Sequence, residues 1–379
     1  MKEAFIIDHN IISSLGFSSE ENFNQLIKES SGLKKYQREN QEEYYSSKVD
    51  QEKVTEEFNK IGNPELYTTL EKMMILSVDS ILTSSGYTIS DRTGLIIATT
   101  KGNIDTLSPS SKFFKDKKRS YLHELGNQVK EYFGFKNEAI VLSNACVSGV
   151  LAVAVGQRFL KDGIYDEVII VSGDLVSEFI LSGFTSFQAI SDEPCKPYSK
   201  NRKGITIGEA VASVLVSSEK KKNSIQIIGA GSCNDANHIS GPSRTGEGLV
   251  MSVESALREA DIKKNEIDYI SAHGTATNFN DEMEAVALGR LKMLNTPVNS
   301  LKGYYGHTLG ASGLLETIIG IESLNKNTLI ASKGFDEIGV SENINIIKET
   351  EKKELNVFLK TASGFGGCNT AVIFKKALD

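Results

Sequence analysis

A cysteine stands where an apolar strand pattern gives way to an apolar helix pattern. Residues 139–142 predict a buried strand, small residues follow, and residues 150–160 are apolar and rich in alanine, which predicts a buried helix. The thiol of Cys146 is then expected at a helix N-terminus, where free N–H groups and the helix dipole lower the pKa of a thiol. Cys146 is therefore a candidate nucleophile, although a cysteine in such a stretch is more often a small core residue.

Two histidines in glycine-containing segments could act together with this thiol. His273 follows an apolar strand pattern, and His307 precedes an apolar helix pattern that is entered through glycines. Neutral imidazoles can donate hydrogen bonds to a developing negative charge through their ring N–H groups. The combination of one thiol and two imidazoles predicts a catalytic centre rather than three unrelated core positions.

Two charged residues could support the histidines. Lys302 lies five residues before His307, and Glu284 lies eleven residues after His273 on a predicted helix. Lys302 could hold positive charge near the site, polarise a histidine or pair with Glu284. A purely structural ion pair between Lys302 and Glu284 is the alternative that the residues leave open.

The elements that must position these residues form an alternating series. Strand patterns alternate with helix patterns, which predicts an α/β layered fold with mainly parallel strands at its centre. The charged stretch 220–223 predicts a boundary between two halves of the chain. We expect an N-terminal half, residues 1–220, that carries Cys146, and a C-terminal half, residues 221–379, that carries both histidines and the glycine-rich loop at 364–367.

Composition and charge exclude several classes of protein. The chain of 379 residues is 40% hydrophobic and 24% charged, which is typical of a soluble globular protein large enough for two fused domains. A net charge of −7 argues against general affinity for nucleic acid or anionic lipid. A local basic patch for an acidic partner is still possible, and residues 112–119 and the pair Arg202 and Lys203 are the candidates.

Cysteine usage and hydropathy bear on the compartment. The four cysteines show neither CxxC pairing nor the spacing of a disulfide framework, so we expect a reduced cytoplasmic protein without a metal site. The N-terminal apolar run is too short for a signal sequence, and no segment approaches membrane-spanning length. We therefore expect neither a membrane nor a nucleic acid as partner.

Five segments, collinear along the chain, resemble signatures of the elongating β-ketoacyl-acyl carrier protein synthases, which are condensing enzymes of the thiolase superfamily. The segment Asn144-Ala145-Cys146 resembles the nucleophile elbow of that family. The others resemble its mid-chain segment, its first histidine motif, its lysine and second histidine motif, and its C-terminal glycine-rich loop; they are residues 196–210, 271–277, 301–313 and 364–369.

The resemblance implies a fold and a reaction. The fold would be the thiolase-like five-layer α-β-α-β-α arrangement, built from two similar halves. The reaction would be that of an acyltransferase, a 3-oxoacyl-[acyl-carrier-protein] synthase: an acyl group moves onto Cys146, and malonyl-ACP then loses carbon dioxide and attacks it in a decarboxylative Claisen condensation. No free cofactor is implied, because both substrates are carried on the phosphopantetheine of acyl carrier protein.

The resemblance also implies roles for individual residues and for an assembly. The backbone N–H groups of Cys146 and Phe365 would stabilise the oxyanion, and the Phe365 side chain would gate the acyl pocket. Glu316 would be a structural carboxylate. We expect a homodimer, or a heterodimer with a paralogous synthase subunit, joined by a strand near the nucleophile; residues 167–172 are very apolar and are our candidate for that exposed edge.

Three alternatives follow from the same resemblance. The chain could be a non-catalytic partner subunit of the chain-length-factor type, but such a subunit lacks the nucleophile that Cys146 supplies. A degradative thiolase uses a second catalytic cysteine, and an initiating synthase has asparagine where His307 stands. The pathway stays open between fatty acid synthesis and a specialised polyketide or aryl-polyene route.

Overall fold

Strands and helices alternate along the chain, and the computed structural model describes residues 2–38, 43–235 and 241–377. The strands are β1 (Phe5–Ser13), β2 (Lys34–Gln37), β3 (Glu43–Ser47), β4 (Thr93–Ala98), β5 (Ile140–Leu142), β6 (Glu167–Asp174), β7 (Ile207–Gly208), β8 (Ala210–Ser217), β9 (Ile225–Asn234), β10 (Tyr269–Ser271), β11 (Val298–Asn299), β12 (Thr328–Leu329), β13 (Glu351–Lys352), β14 (Val357–Gly364) and β15 (Cys368–Lys376). The helices are α1 (Ser19–Ile27), α2 (Gln51–Phe58), α3 (Thr69–Ser85), α4 (Leu122–Phe133), α5 (Ser148–Lys161), α6 (Glu178–Ser186), α7 (Glu247–Ala260), α8 (Asn278–Arg290), α9 (Lys302–Tyr305) and α10 (Ser312–Lys326). Among the helices described, none is both long and apolar enough to cross a membrane.

The main sheet has ten strands in the order β11-β10-β14-β15-β9-β1-β8-β6-β4-β5. It consists of two five-strand halves with the same internal order. When the strands of each half are counted along the chain, the second runs parallel to the third and the fourth, and the fifth is antiparallel to its neighbours. The halves join where Phe5 and Ile6 of β1 pair with β9. We propose that the chain divides at residues 220 and 221, between β8 and β9, as the charged stretch predicts.

Five layers result from the way the helices cover the two halves of the sheet. Helices α5 and α10 lie between the halves, because each of them contacts strands of both. Helices α3 and α4 cover the outer face of the first half, and α7 covers the second half with α8 packed against it. Helix α10 is buried on all sides from Ser312 to Leu324, including its two glutamates, Glu316 and Glu322. The order α-β-α-β-α is the one that the resemblance implies.

The position of the edge strand is a correction to the sequence analysis. Residues 167–172 lie within β6, which is paired with β4 on one side and β8 on the other, so this strand is not an exposed edge. The edge of the first half is β5, which was expected to be buried and is only half-buried. The long apolar run of β6 is typical of a strand covered on both faces, whereas short strands are common at edges.

Candidate active site

Cys146 lies in the sharp turn between β5 and α5. Ala145 has a φ of +46°, a left-handed conformation that is uncommon for residues with a Cβ atom and that makes the turn tight. The backbone N–H of Asn144 donates to Ser148 Oγ at 2.8 Å, and the Ser148 hydroxyl donates to the carbonyl oxygen of Ala145 at 2.7 Å. Because α5 begins at Ser148, the thiol precedes the first turn of the helix, as the sequence pattern predicts.

The expected low pKa of this thiol is not found. Burial raises the pKa of Cys146 to about 12, and the nearby Cys368 adds to the increase, while Lys302 only partly opposes it. Removal from water favours the neutral form of a thiol. Cys146 is therefore a thiol at neutral pH, so thiolate formation has to accompany attack on a substrate.

His273 is held by the first turns of α8. It follows the end of β10, and its backbone N–H and that of Gly274 donate to the two carboxylate oxygens of Glu284, at 2.8 and 2.7 Å. The carboxylate of Asp281 accepts from the N–H of Thr275 at 3.0 Å. Glu284 therefore positions the backbone of the histidine loop rather than the imidazole, whose buried Nδ1 has no hydrogen-bond partner among the described residues.

His307 is held from two directions. Its backbone N–H donates to the carbonyl oxygen of Thr206 at 2.7 Å, and its Nδ1 lies 3.0 Å from Ser312 Oγ at the start of α10. Nδ1 also accepts from the backbone N–H of Leu309 at 3.3 Å, so the ring hydrogen is assigned to Nε2. Nε2 is buried and has no partner among the described residues, which leaves this N–H available to a substrate oxygen.

The thiol and the two imidazoles converge. The sulfur of Cys146 and one ring nitrogen from each of His273 and His307 all lie within 4.8 Å of one another. The centroids of the two imidazole rings are 5.1 Å apart, and the rings meet edge to face. Burial, followed by the charge of Lys302, holds the pKa of both histidines well below the usual value, so both are neutral at pH 7.

Lys302 forms its salt bridge with Glu316 and not with Glu284, so the alternative of a Lys302–Glu284 ion pair is not found. Its Nζ lies 2.8 Å from Glu316 Oε1 and also donates to the carbonyl oxygen of His273. Burial by itself raises the pKa of Glu316, but Lys302 and Lys360 together hold it below the usual range. In Glu284, by contrast, burial raises the pKa. Lys302 thus supports His273 through its backbone.

Lys360 is a site residue that the sequence analysis missed. It lies in the middle of β14, is fully buried, and bridges Glu316 to the carbonyl oxygens of Ser271 and Ala272 at 3.2 and 3.3 Å. The signal was a single lysine within an otherwise apolar and small strand pattern. Such a lysine is almost never fully buried without an acidic partner.

The glycine-rich loop passes beside the nucleophile. It connects β14 to β15, and a Cβ atom at Gly364 would lie only 3.1 Å from the backbone nitrogen of Cys146. The segment that carries the Phe365 N–H therefore runs against the backbone of Cys146. The Phe365 ring is partly exposed and packs against Phe184 and Phe187 of the α6 region, with ring centroids 5.6 and 5.3 Å away.

A cavity of about 450 Å³ opens above these residues. Cys146, both histidines and Phe365 line it, and most of the remaining large side chains are apolar: Phe184, Phe187, Phe279 and Met283. Such an apolar wall can hold an acyl chain whose thioester group lies at the Cys146 thiol.

The candidate basic patches differ in their relation to the cavity. Lys203 lines it, whereas none of the described residues 112–119 does. Arg119 is bound to the buried carboxylate of Glu71, and Arg202 is largely buried beside Asp281. Lys203 is thus the better placed of the basic residues that the sequence singles out.

Comparisons with known proteins agree with the geometry. Sequence models of the β-ketoacyl synthase N-terminal and C-terminal domains match residues 10–222 and 225–336. A putative mitochondrial 3-oxoacyl-[acyl-carrier-protein] synthase of Schizosaccharomyces pombe is 30% identical over 66% of this chain and 64% of its own length. The 3-oxoacyl-[acyl-carrier-protein] synthase 2 of Coxiella burnetii is 29% identical, and this chain likewise covers 64% of its length.

Solved structures are similar over nearly the whole chain. The ketosynthase ApeO in complex with its chain length factor ApeC, from Xenorhabdus doucetiae, matches with a TM-score of 0.89 and 25% identity, covering 99% of this chain and 98% of the matched chain. The ishigamide ketosynthase/chain length factor matches with a TM-score of 0.90 at 20% identity over the full length of both chains, which shows the fold. The N-terminal family model matches more than half of the residues of this chain, so the chain belongs to the β-ketoacyl synthase family, with a thiolase-like fold.

Proposed function

We propose that this protein is an elongating condensing enzyme, a 3-oxoacyl-[acyl-carrier-protein] synthase that joins an acyl thioester to the decarboxylated product of malonyl-ACP. The observation that carries the proposal is the convergence of the Cys146 thiol with His273 and His307 beside an apolar-lined cavity. A non-catalytic partner subunit would not need these three groups together. We therefore favour the enzyme over the partner subunit.

In the first half-reaction, the sulfur of Cys146 attacks the carbonyl carbon of the acyl thioester. The thiol is protonated at rest, so its proton has to leave as the carbon–sulfur bond forms. We propose that His273 accepts it, because one of its ring nitrogens lies within 4.8 Å of the sulfur. The proton then passes to the departing phosphopantetheine thiolate. The products are acyl-Cys146, a free pantetheine thiol and neutral His273.

In the second half-reaction, the carbon–carbon bond to the malonyl carboxylate breaks, and carbon dioxide leaves. The electron pair forms an enolate on the thioester, whose oxygen accepts hydrogen bonds from the Nε2–H of His307 and the ring N–H of His273. The enolate carbon attacks acyl-Cys146, while the N–H groups of Cys146 and Phe365 stabilise the tetrahedral oxyanion. Collapse of this tetrahedral intermediate releases the 3-oxoacyl thioester and the Cys146 thiolate, which takes a proton from solvent.

Acyl carrier protein is the proposed partner, and the cytoplasm is the proposed location. The reaction needs no free cofactor, since the phosphopantetheine arm delivers both substrates. We propose a dimer, either of this chain or with a paralogous subunit, that forms through the free edge of β5, which lies directly before Cys146. Light scattering of the chain, alone and mixed with that paralogue, tests this, and a monomer in both samples contradicts it.

The acyl substrate is proposed from the walls of the cavity. Aromatic side chains at Phe184, Phe187, Phe279 and Phe365 suit a flat, unsaturated chain as well as a saturated one. The pathway that we propose is either fatty acid synthesis or a specialised polyketide or aryl-polyene route.

The test is a condensation assay with defined carrier-bound substrates. The purified protein is mixed with malonyl-ACP and with acyl-ACPs of several lengths, saturated and polyunsaturated, and the ACP products are followed by mass spectrometry together with carbon dioxide release. We expect a 3-oxoacyl-ACP longer by two carbons and one equivalent of carbon dioxide. A chain that forms no such product with any of these substrates, alone or with its paralogous subunit, contradicts the proposal.

A further inference from the structure

The groups proposed for catalysis are also a set of metal ligands. One thiol and two imidazoles, all buried, present Sγ of Cys146 and a ring nitrogen from each of His273 and His307 within 4.8 Å of one another. Sulfur and imidazole nitrogen are the donors that Zn²⁺ prefers, and three protein ligands with one open position is a common zinc arrangement.

We propose that Cys146, His273 and His307 bind one Zn²⁺ ion, and that this ion reversibly blocks the nucleophile. The cysteine spacing predicts no metal site, and the proposed reaction uses none. The ion would act as an inhibitor that competes with acylation. This inference goes beyond the condensing activity and does not depend on it.

The distances are compatible with this coordination. Tetrahedral zinc with bonds of about 2.3 Å to sulfur and about 2.0 Å to nitrogen places its ligand atoms roughly 3.5 Å apart. The three atoms are at most 4.8 Å apart without a metal, so small side-chain rotations close the site. The cavity lies on the open side and has room for a water molecule as the fourth ligand.

Unpaired nitrogens are available for the metal. His273 Nδ1 and His307 Nε2 are both buried, and neither has a hydrogen-bond partner among the described residues. When a metal binds Nε2 of His307, the ring hydrogen moves to Nδ1, where Ser312 Oγ at 3.0 Å can accept it. The weaker contact from the Leu309 N–H, at 3.3 Å, is lost in exchange. An oxygen acceptor on the far side of the ring is the usual support of a metal-bound histidine.

Lys302 and Lys360 place positive charge near both imidazoles, and buried carboxylates offset it. The two buried ammonium groups of Lys302 and Lys360 bind the Glu316 carboxylate, and Glu284 lies on the other side of the histidine loop. The formal charges of these four side chains cancel. On binding, the S–H bond of Cys146 breaks, a sulfur–zinc bond forms, and the proton goes to the buffer, so that the ion meets a thiolate.

The test measures zinc binding directly, with no acyl substrate present. Calorimetric titration of the metal-free protein with Zn²⁺, in two buffers of different ionisation enthalpy, should give one ion bound and about one proton released. Cobalt substitution should give a thiolate-to-cobalt charge-transfer band. Bound zinc should also slow the alkylation of Cys146 by iodoacetamide, and a chelator should restore it.

Variants separate this site from adventitious binding. Cys146→Ala, His307→Ala and prior alkylation of Cys146 should each weaken zinc binding by roughly 100-fold or more. Cys233→Ser and His123→Gln, which change residues outside the cavity, should bind as the wild type does. Circular dichroism establishes that each variant is folded. Cys368→Ser tests the other thiol on the cavity wall and should retain binding.

Two results would overturn the inference. One is zinc affinity that is unchanged in both folded Cys146→Ala and His307→Ala. The other is binding that depends on Cys368 but not on His307, because the ion would then lie between the two thiols. Both results are independent of the condensation assay. If zinc binding fails the test, the proposed reaction is unaffected, and if the condensation assay fails, the zinc site is unaffected.

Discussion

The two histidines have different surroundings, and this difference suggests a division of labour. His307 has its Nδ1 engaged by Ser312 and Leu309, so its Nε2–H is a fixed donor. His273 is fixed through its backbone by Glu284, while its Nδ1 has no partner among the described residues. A ring that is free to change tautomer can take a proton in one half-reaction and donate a hydrogen bond in the next.

The first prediction concerns the enolate. His307→Ala and His273→Ala should each slow the decarboxylation of malonyl-ACP by ~10²–10³, because each removes one donor to the enolate oxygen. Release of labelled carbon dioxide from malonyl-ACP measures this. His123→Ala is the matched control, since that histidine is exposed and pairs with Glu124. Decarboxylation at the control rate in either variant would remove that histidine from the proposed role.

Residue types could be predicted from the sequence, but their environments could not. Cys146, His273 and His307 stand in recognisable segments, and the structure brings them together. The partner of Lys302 could not be chosen from the sequence, because Glu284 and Glu316 both lie on helices that follow a histidine segment, and only the packing of α10 against β14 selects Glu316. The predicted direction of the Cys146 pKa shift is wrong because burial, which depends on the whole fold, raises the pKa of this thiol.

At the scale of elements, helix α10 fixes the geometry of the site. It crosses α5 closely: a Cβ atom at Gly149 would lie 2.8 Å from the backbone nitrogen of Leu314, and one at Gly313 would lie 2.5 Å from the nitrogen of Val150. These glycines allow the helix behind the nucleophile to touch the helix that supports His307. The helix pattern at 150–160 predicts α5 to within two residues at each end, but the contact between the two helices could not be predicted.

The second prediction concerns the charged link between α10 and β14. Glu316→Gln should destabilise the fold by about 3–5 kcal/mol, because it leaves the buried ammonium groups of Lys302 and Lys360 without their counter-charge. Urea denaturation measures the free energy of unfolding. Glu337→Gln removes an exposed ion pair with Lys200 and should change stability by less than about 1 kcal/mol. Equal effects of the two changes would show that the buried cluster contributes no more than a surface pair.

The third prediction concerns the loop between β14 and β15. Phe365→Ala should shift the preference for acyl chain length or shape more than it changes malonyl decarboxylation, because its ring packs against Phe184 and Phe187 on the wall of the cavity. Ser363, which also lines the cavity, is small and leaves room for a bulky or rigid chain. Competition between acyl-ACPs of different lengths measures the preference. Phe179→Ala, an exposed change on α6 outside the cavity, is the control, and an identical acyl profile in both variants would exclude a gate.

At the scale of the whole molecule, the two halves repeat one topology, and the site lies where they meet. Cys146 comes from the first half, and both histidines and the glycine-rich loop come from the second. The alternating pattern predicted the α/β class, but the repeat is not visible as sequence identity because strand order depends on long-range pairing. The same limitation led to β6 being taken for an edge: its apolar run indicates burial without saying which strands lie beside it.

The fourth prediction concerns docking of the carrier protein. The chain carries a net charge of −7, so attraction of an acidic carrier protein requires a local positive charge near the cavity. Lys203→Glu should raise the KM for acyl-ACP by about tenfold and leave the KM for a small pantetheine thioester unchanged. Lys115→Glu makes the same charge change in the 112–119 cluster, away from the cavity. A larger effect of Lys115→Glu, or equal effects of Lys203→Glu on both substrates, would move the docking surface away from Lys203.

The central claim is that Cys146 accepts the acyl group, and intact mass spectrometry of the protein after incubation with acyl-ACP tests it most directly. The account predicts one acyl adduct per chain, mapped to Cys146 by peptide analysis, absent in Cys146→Ala and retained in Cys233→Ser. Cys146→Gln, which imitates an acylated cysteine in size and polarity, should take no acyl group but still release carbon dioxide from malonyl-ACP. An acyl adduct that persists in folded Cys146→Ala would contradict the account.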